Sequence, residues 1–233
     1  DLTVEEWFGF YAPARTPAAW LAAGSPFLSA VLPGHFYSPI PSADAVDGLQ
    51  AQPESFDPSR CPGIDLRVDE QLALLSTLSA YAGDLRMPDG PDGGTRYIAD
   101  NGSFAPGDAV LLATLMRHTR PSLVLEIGAG YSTAAMLDVA EHHLHDSVKI
   151  EAVDPEPRRV RALLRDGDER RLVLHEGLVQ DLPRALFTTL GGNDMLFIDS
   201  SPVMKLGSDV AYLMLDVLPL LAPGVLVHFH DIA

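Results

Sequence analysis

Cysteine is nearly absent from this chain: Cys61 stands alone in 233 residues. One thiol cannot build a disulfide framework, and its isolation suits a reducing, cytoplasmic setting. Cys61 lies in a Pro-Gly-rich stretch with no base beside it, so it reads as a bystander, not a nucleophile. Basic residues are also few, 16 Lys and Arg against 32 Asp and Glu, for a formal net charge of −16. A surface that acidic repels phosphate backbones and anionic lipid, so neither nucleic acid nor a membrane is expected as a partner. The arginines at 158, 159, 161 and 165 fall at helical spacing and read as a solvated helix face. No apolar run approaches the roughly 20 residues that span a bilayer, and no signal peptide is visible. The first residue is Asp1, which leaves room for a natural start upstream. What is present is 47% hydrophobic and 21% charged sequence. That composition belongs to a folded globular protein with one large α/β domain, alone or with an accessory segment.

Residues 1–105 read as a helical and loop cap. Thr3-Val4-Glu5-Glu6 forms a capping box before Trp7 and Phe8, and short helices are expected to about Tyr11 and over Pro17 to Ala22. Gly34 to Pro41 has neither helical nor strand period and reads as an ordered loop packed on the main domain. The spacing predicts a helix over 69–83, with Asp69 as its cap, Leu72, Leu75, Leu78 and Ala82 on one face, and Gly83 as its stop. Pro106 opens a second helix to about His118, with Leu112, Leu115 and Met116 toward the core.

From 122 onward strand and helix alternate. Strands are predicted near 122–127, 148–153, 171–175, 194–199 and 224–230. Helices are predicted near 131–143, 156–165, 183–190 and 207–220. This alternation gives a doubly wound, mostly parallel α/β sheet over residues 106–233. Ligands bind such sheets beyond the carboxyl ends of the strands. The residues placed there are Glu126 to Gly130, Asp154, Gln180, Asp181, Asp199, His230 and Asp231.

Leu123 to Ile127 runs into Gly128-Ala129-Gly130 and then Tyr131, Ser132 and Thr133. The glycines permit a tight turn and close approach of a ligand, and the following helix start offers N–H groups to an anionic group. Asp154, 24 residues beyond Gly130, is where such folds place an acid against ribose hydroxyls; it also suits an N-cap before Pro155. A dinucleotide dehydrogenase wants a third glycine where Thr133 stands. Glu126 just ahead of the glycines suits a cationic ligand, which favours S-adenosylmethionine.

Residues 122–231 resemble a class I S-adenosylmethionine-dependent methyltransferase of Rossmann-like fold. The motifs are Leu125 to Gly130, Val153-Asp154-Pro155, Asp194 to Ser201, and Pro223 to Asp231. His35 to Pro41, Pro62 to Asp65, and Arg96-Tyr97 with Asn101 extend the resemblance to a largely uncharacterised bacterial branch. It implies that Glu126, Gly128 and Gly130 hold the methionine part, Asp154 the ribose, and Gln180 and Asp181 the adenine edge. Tyr97 and Asn101 would close over the cofactor; Ala129, Tyr131, Ser132 and Asp199 complete the set. Pro202 stands where the branch has a histidine, so no role for that histidine carries over. The family also adds antiparallel strands after the fifth strand, which are missing here. The natural protein is therefore expected to continue past Ala233.

A hydroxyl acceptor must lose its proton, and the catalytic candidates are His230, Asp231 and Asp199, with Lys205 and His35 behind them. By analogy with catechol-type enzymes, Asp199 and Asp231 could hold Mg²⁺; the plainer reading is that Asp199 caps a loop. His228 reads as a hydrogen-bonded core histidine, and Lys205 with Asp209 as a surface ion pair. His142, His143 and His145 suit the end of a helix. The expected function is O-methylation of a small-molecule or sugar-like hydroxyl. The alternatives are a catalytically reduced cofactor-binding module of a larger biosynthetic protein, and a nicotinamide-dependent dehydrogenase. The partner is a small-molecule acceptor, and the chain could form a homo-oligomer or part of a longer protein.

Overall fold

The computed structural model describes Asp44, Gly63 and residues 65–201, 204–205 and 207–231. The chain divides into two compact units, Asp1–Val68 and Asp69–Ala233. The expected helices of residues 1–60, the 34–41 loop with His35, and Cys61 and Pro202 all lie outside the described residues.

In the second unit the β-branched and aliphatic runs form five strands. They are β1 (Leu123–Ile127), β2 (Lys149–Asp154), β3 (Leu172–Glu176), β4 (Met195–Ile198) and β5 (Leu226–Phe229). The order is β3-β2-β1-β4-β5, and every pairing is parallel. The order reverses between β1 and β4, which is where such a sheet opens a crevice. Beyond the strands the ladder goes on for one more bond. The N–H of Gly128 donates to the Val153 carbonyl, that of Asp199 to Ile127, and that of His230 to Ile198. These bonds set the glycine turn, Asp199 and His230 side by side along the carboxyl edge.

Helices α1 (Val68–Ser79), α2 (Pro106–Thr119), α3 (Tyr131–His142) and α4 (Arg158–Leu163) stand where helices are predicted, but α1 has Asp69 inside its first turn and ends four residues before Gly83, and α4 is shorter than expected at both ends. Pro106 opens α2, where its missing N–H costs nothing, and Leu112 and Met116 are fully buried. The predicted helix over 183–190 is a 3-10 turn, Arg184–Thr189. The one over 207–220 is composite: α5 (Asp209–Tyr212), a π turn over Leu213–Val217, then a 3-10 turn over Leu218–Leu220. Pro219 has no N–H to continue an α-helical ladder, which accounts for the tightened end. One core, with α2 and α3, gathers Val124, Met136, Ile150 and Phe197. The other gathers Leu125, Val153, Phe187, Leu196 and Leu213. The face read for α1 is only partly covered: Leu78 is buried, but Leu72 and Leu75 are each 60% exposed. Periodicity marks a face; it does not supply a neighbour to cover it.

The second unit begins at Asp69, well before the boundary expected at 105. Arg96 supplies a physical reason. Its guanidinium, 3% exposed, reaches Asp138 of α3 at 2.8 Å, Asp168 at 2.6 Å and Glu141 at 2.8 Å. Asp138 also accepts the backbone N–H groups of Arg96 and Tyr97. A buried guanidinium must be paired, and these pairs lock the segment ahead of α2 onto the sheet domain. No described helix is long and apolar enough to cross a membrane.

Candidate functional site

The crevice starts with the turn after β1. Gly128 has φ +89°, and a Cβ there would lie 1.9 Å from the Asp199 carbonyl oxygen. Only glycine fits so close to the end of β4. Thr133 Oγ1 accepts the Gly130 N–H at 3.0 Å and donates to Glu126 at 2.6 Å; Ser132 Oγ donates to Glu126 at 2.5 Å. Glu126 is fully buried. Burial pushes its carboxyl up to about 8; Asp199 and Asp154 push the same way, while the two hydroxyls oppose. This corrects the expectation that Glu126 faces a cationic ligand. Both its oxygens accept hydroxyls inside the protein, tying the glycine turn to the first turn of α3, and complete burial keeps their remaining lone pairs from a ligand. Thr133 replaces the third glycine because it closes that network. Ser132 spends its hydroxyl there too, leaving the helix start and half-buried Ala129 and Tyr131 to meet a ligand.

Asp154 ends β2 and is half-buried. Its Oδ2 accepts the Ala129 N–H at 2.9 Å and its Oδ1 the Glu156 N–H at 2.6 Å. The acid thus fixes the glycine turn and caps its own loop, and each oxygen keeps a further lone pair for a hydroxyl donor.

At the β4 and β5 ends, Asp199, His230 and Asp231 each bring one potential ligand atom within 4.8 Å of the others. His230 Nε2 lies 3.3 Å from Asp231 Oδ1, and its side chain is 6% exposed. Phe104 packs on its imidazole at 5.0 Å between centroids. Burial raises the Asp199 pKa; the His230 charge opposes this, Asp231 adds to it, and Arg159 opposes it. Asp231 is exposed and holds a left-handed backbone, φ +55°. His228 stacks on Phe197 at 4.7 Å. Burial first, then the neighbouring His230, lowers its pKa. An aromatic face, not the expected hydrogen bond, holds this histidine.

Gln180 Nε2 donates to the Gly207 carbonyl at 3.0 Å, while its Oε1 is buried without a partner. That orphaned acceptor suits a donor such as an exocyclic amino group. Asp181 is exposed in the same turn. Tyr97 and Asn101 do not close over the crevice. The Tyr97 hydroxyl donates to the Phe104 carbonyl at 2.9 Å, and its ring, 1% exposed, lines a separate cavity with Ala135 and Val139. That cavity, about 180 Å³, contains none of the strand-end acids among its walls. Asn101 Nδ2 also reaches the Phe104 carbonyl, at 2.9 Å, and its Oδ1 takes the Phe104 N–H at 2.7 Å. Both residues position Phe104, which the sequence reading overlooked; the available signal was an Asn three residues before an aromatic. Asp209 takes the Ser201 N–H at 2.8 Å and its hydroxyl, closing the loop after β4 in place of the expected Lys205 pair.

The arginine cluster is not one solvated face. Arg158 and Arg161 pair at the surface with Glu156 and Glu176. Arg165 donates to the Thr95 carbonyl, and Arg159 reaches Ser103 across the mouth.

Fold and site together define a doubly wound sheet with a glycine turn and three acids at the crevice of its switch point. A family model described as a methyltransferase domain matches residues 125–232. An uncharacterised protein of Archaeoglobus fulgidus is 32% identical over 171 residues, 69% of this chain and 74% of its own. The chain belongs to the same family as this archaeal protein, and its residues 125–232 are a methyltransferase domain. Among solved structures it is similar to the Podospora anserina methyltransferase PaMTH1 bound to SAH, at 20% identity, 83% and 72% coverage and TM-score 0.40. It is also similar to a Geobacter sulfurreducens methyltransferase, at 22% identity, 72% and 78% coverage and TM-score 0.38. Scores this low add nothing to what the strand order establishes.

Proposed function

We propose that the crevice binds S-adenosylmethionine and that the chain methylates a hydroxyl of a small molecule. The observation that carries this is Asp154. Its carboxylate is clamped to the glycine turn at the end of β2, with hydrogen-bonding capacity left for ribose hydroxyls. The orphaned Gln180 Oε1 fits the adenine amino group, and the half-buried Asp199 faces the positive end of the donor. When bound, S-adenosylmethionine supplies an electrophilic methyl carbon, whose bond to sulfur breaks as its bond to the acceptor oxygen forms. The chain's own work is to hold the acceptor in line, worth about 7–11 kcal/mol, and to accept its proton. His230 takes that proton on the ring nitrogen that Asp231 leaves free, with its Nε2 turned to Asp231 and Phe104 packed on the ring. Base assistance of this kind is worth roughly 10²–10⁴-fold.

A second reading has one observation of its own, the approach of Asp199, His230 and Asp231. A divalent cation held there would lower the acceptor hydroxyl pKa without a protein base. Mg²⁺ was the ion expected for the two aspartates; with an imidazole among the donors, Mn²⁺ or Fe²⁺ suits the set better. Loss of turnover with a chelator, restored by one of these ions, selects this reading. The isolated cysteine fits a cytoplasmic setting.

Calorimetric titration with S-adenosylhomocysteine tests the cofactor site. Wild type should bind it, and Asp154→Ala should lose binding while keeping its circular dichroism. His230→Gln should bind normally and turn over at least about 100-fold more slowly. A wild type that binds a nicotinamide dinucleotide and not S-adenosylhomocysteine overturns the proposal.

A further inference from the structure

The donor's amino-acid end carries a carboxylate as well as an ammonium. The crevice is lined at the strand ends by Asp154, Asp199 and Asp231, a set that suits the ammonium and repels the carboxylate. Arg159 is the one member of its cluster drawn over these acids. Its aliphatic stem passes the glycine turn closely enough that a Cβ on Gly130 would sit 3.5 Å from its Cδ. Its Nη1 donates to Ser103 Oγ at 3.2 Å, next to Phe104. Its charge is felt at Asp199, at the end of β4. Arg159 therefore stands over Gly130, between the segment ahead of α2 and the end of β4. Its neighbours on α4 turn outward to Glu156 and Glu176.

We propose that Arg159 receives the carboxylate of the donor's amino-acid end, making it a cofactor-binding residue. This rests on the adenosyl-donor reading above. A guanidinium has five N–H donors in a planar fork, so it can take a carboxylate through two of them without releasing Ser103. The contact sorts adenosyl compounds by whether they carry the amino-acid end. It also explains how so acidic a chain admits a ligand with a negative group.

The test compares two ligands on the full chain by calorimetry: S-adenosylhomocysteine, and methylthioadenosine, which keeps the adenosine and the sulfur but lacks the amino-acid end. Arg159→Met should raise the Kd for S-adenosylhomocysteine by about 10- to 100-fold, the range of a charge-assisted hydrogen-bonded pair. It should leave methylthioadenosine binding within about twofold. Arg159→Lys should recover part of the loss, since a single ammonium keeps the charge but not the fork. Equal losses for both ligands, or no loss for either, overturn the proposal. If wild type binds the two ligands equally, the amino-acid end has no partner and this proposal alone fails. If wild type binds neither, the adenosyl-donor reading fails and carries this one with it.

Discussion

Glu126→Gln isolates the buried carboxyl beneath the glycine turn. The unfolded carboxyl titrates near its ordinary 4.5, and the folded one near 8. The folded state therefore holds a proton that the unfolded state has already released throughout the range between them. Stability contributed by this group falls as pH rises from about 4.5 to about 8, and levels off above. At about 1.4 kcal/mol per pH unit, the displacement amounts to roughly 4–5 kcal/mol, with about 4 of it already lost at pH 8. Glutamine fills the same volume and does not titrate. Its carbonyl can accept the Thr133 hydroxyl, and its amide can donate to Ser132 once that hydroxyl rotates. Urea unfolding followed by far-ultraviolet circular dichroism, at pH steps from 4.5 to 8.5, gives the two stability curves. They should nearly coincide at the acid end. The variant should become the more stable protein as pH rises, by up to about 4 kcal/mol at pH 8. A constant difference across the range, or a wild type that gains on the variant with pH, would refute the burial argument. It would return Glu126 to direct contact with solvent or ligand.

Two other substitutions probe the frame of the site. Gly128→Ala puts a methyl group on the Asp199 carbonyl in a left-handed backbone. It should cost more than about 3 kcal/mol, read as a lowered urea midpoint or loss of soluble protein; wild-type stability would show that β1 and β4 do not meet this closely. Arg96→Met strands the buried carboxylates of Asp138 and Asp168. It should cost about 3–5 kcal/mol, with Arg96→Lys recovering little because one ammonium cannot serve both acids; a loss below about 1 kcal/mol would mean that water reaches the cluster.

The strand-end acids could be read from the chain because strand periodicity and glycine placement are local. Asp154, Asp199, His230 and Asp231 each follow a short apolar run, and a parallel sheet sends every such run to the same edge. Roles were harder to read than positions. Glu126 looked like a ligand contact because it precedes glycines; that Ser132 and Thr133 would donate to its two oxygens depends on how α3 starts above the turn. Tyr97 and Asn101 looked like lid residues by resemblance. Their hydrogen bonds to Phe104 become visible only once that loop is folded. Arg159 looked like its neighbours because helical spacing says nothing about which arginine leans over a crevice.

By itself, then, the order of residues determined a doubly wound α/β sheet and which residues stand at its carboxyl edge; the methyltransferase reading was carried by the resemblance of its motifs. The sheet and its edge follow from short-range rules of strand, turn and helix. Only the tertiary structure decided what those residues do there. A carboxylate can bind ribose, anchor a turn or share a proton, and the choice is made by the hydrogen-bond donors and the low-dielectric surroundings that packing brings to it, here from segments as far apart as Arg96 and Asp168.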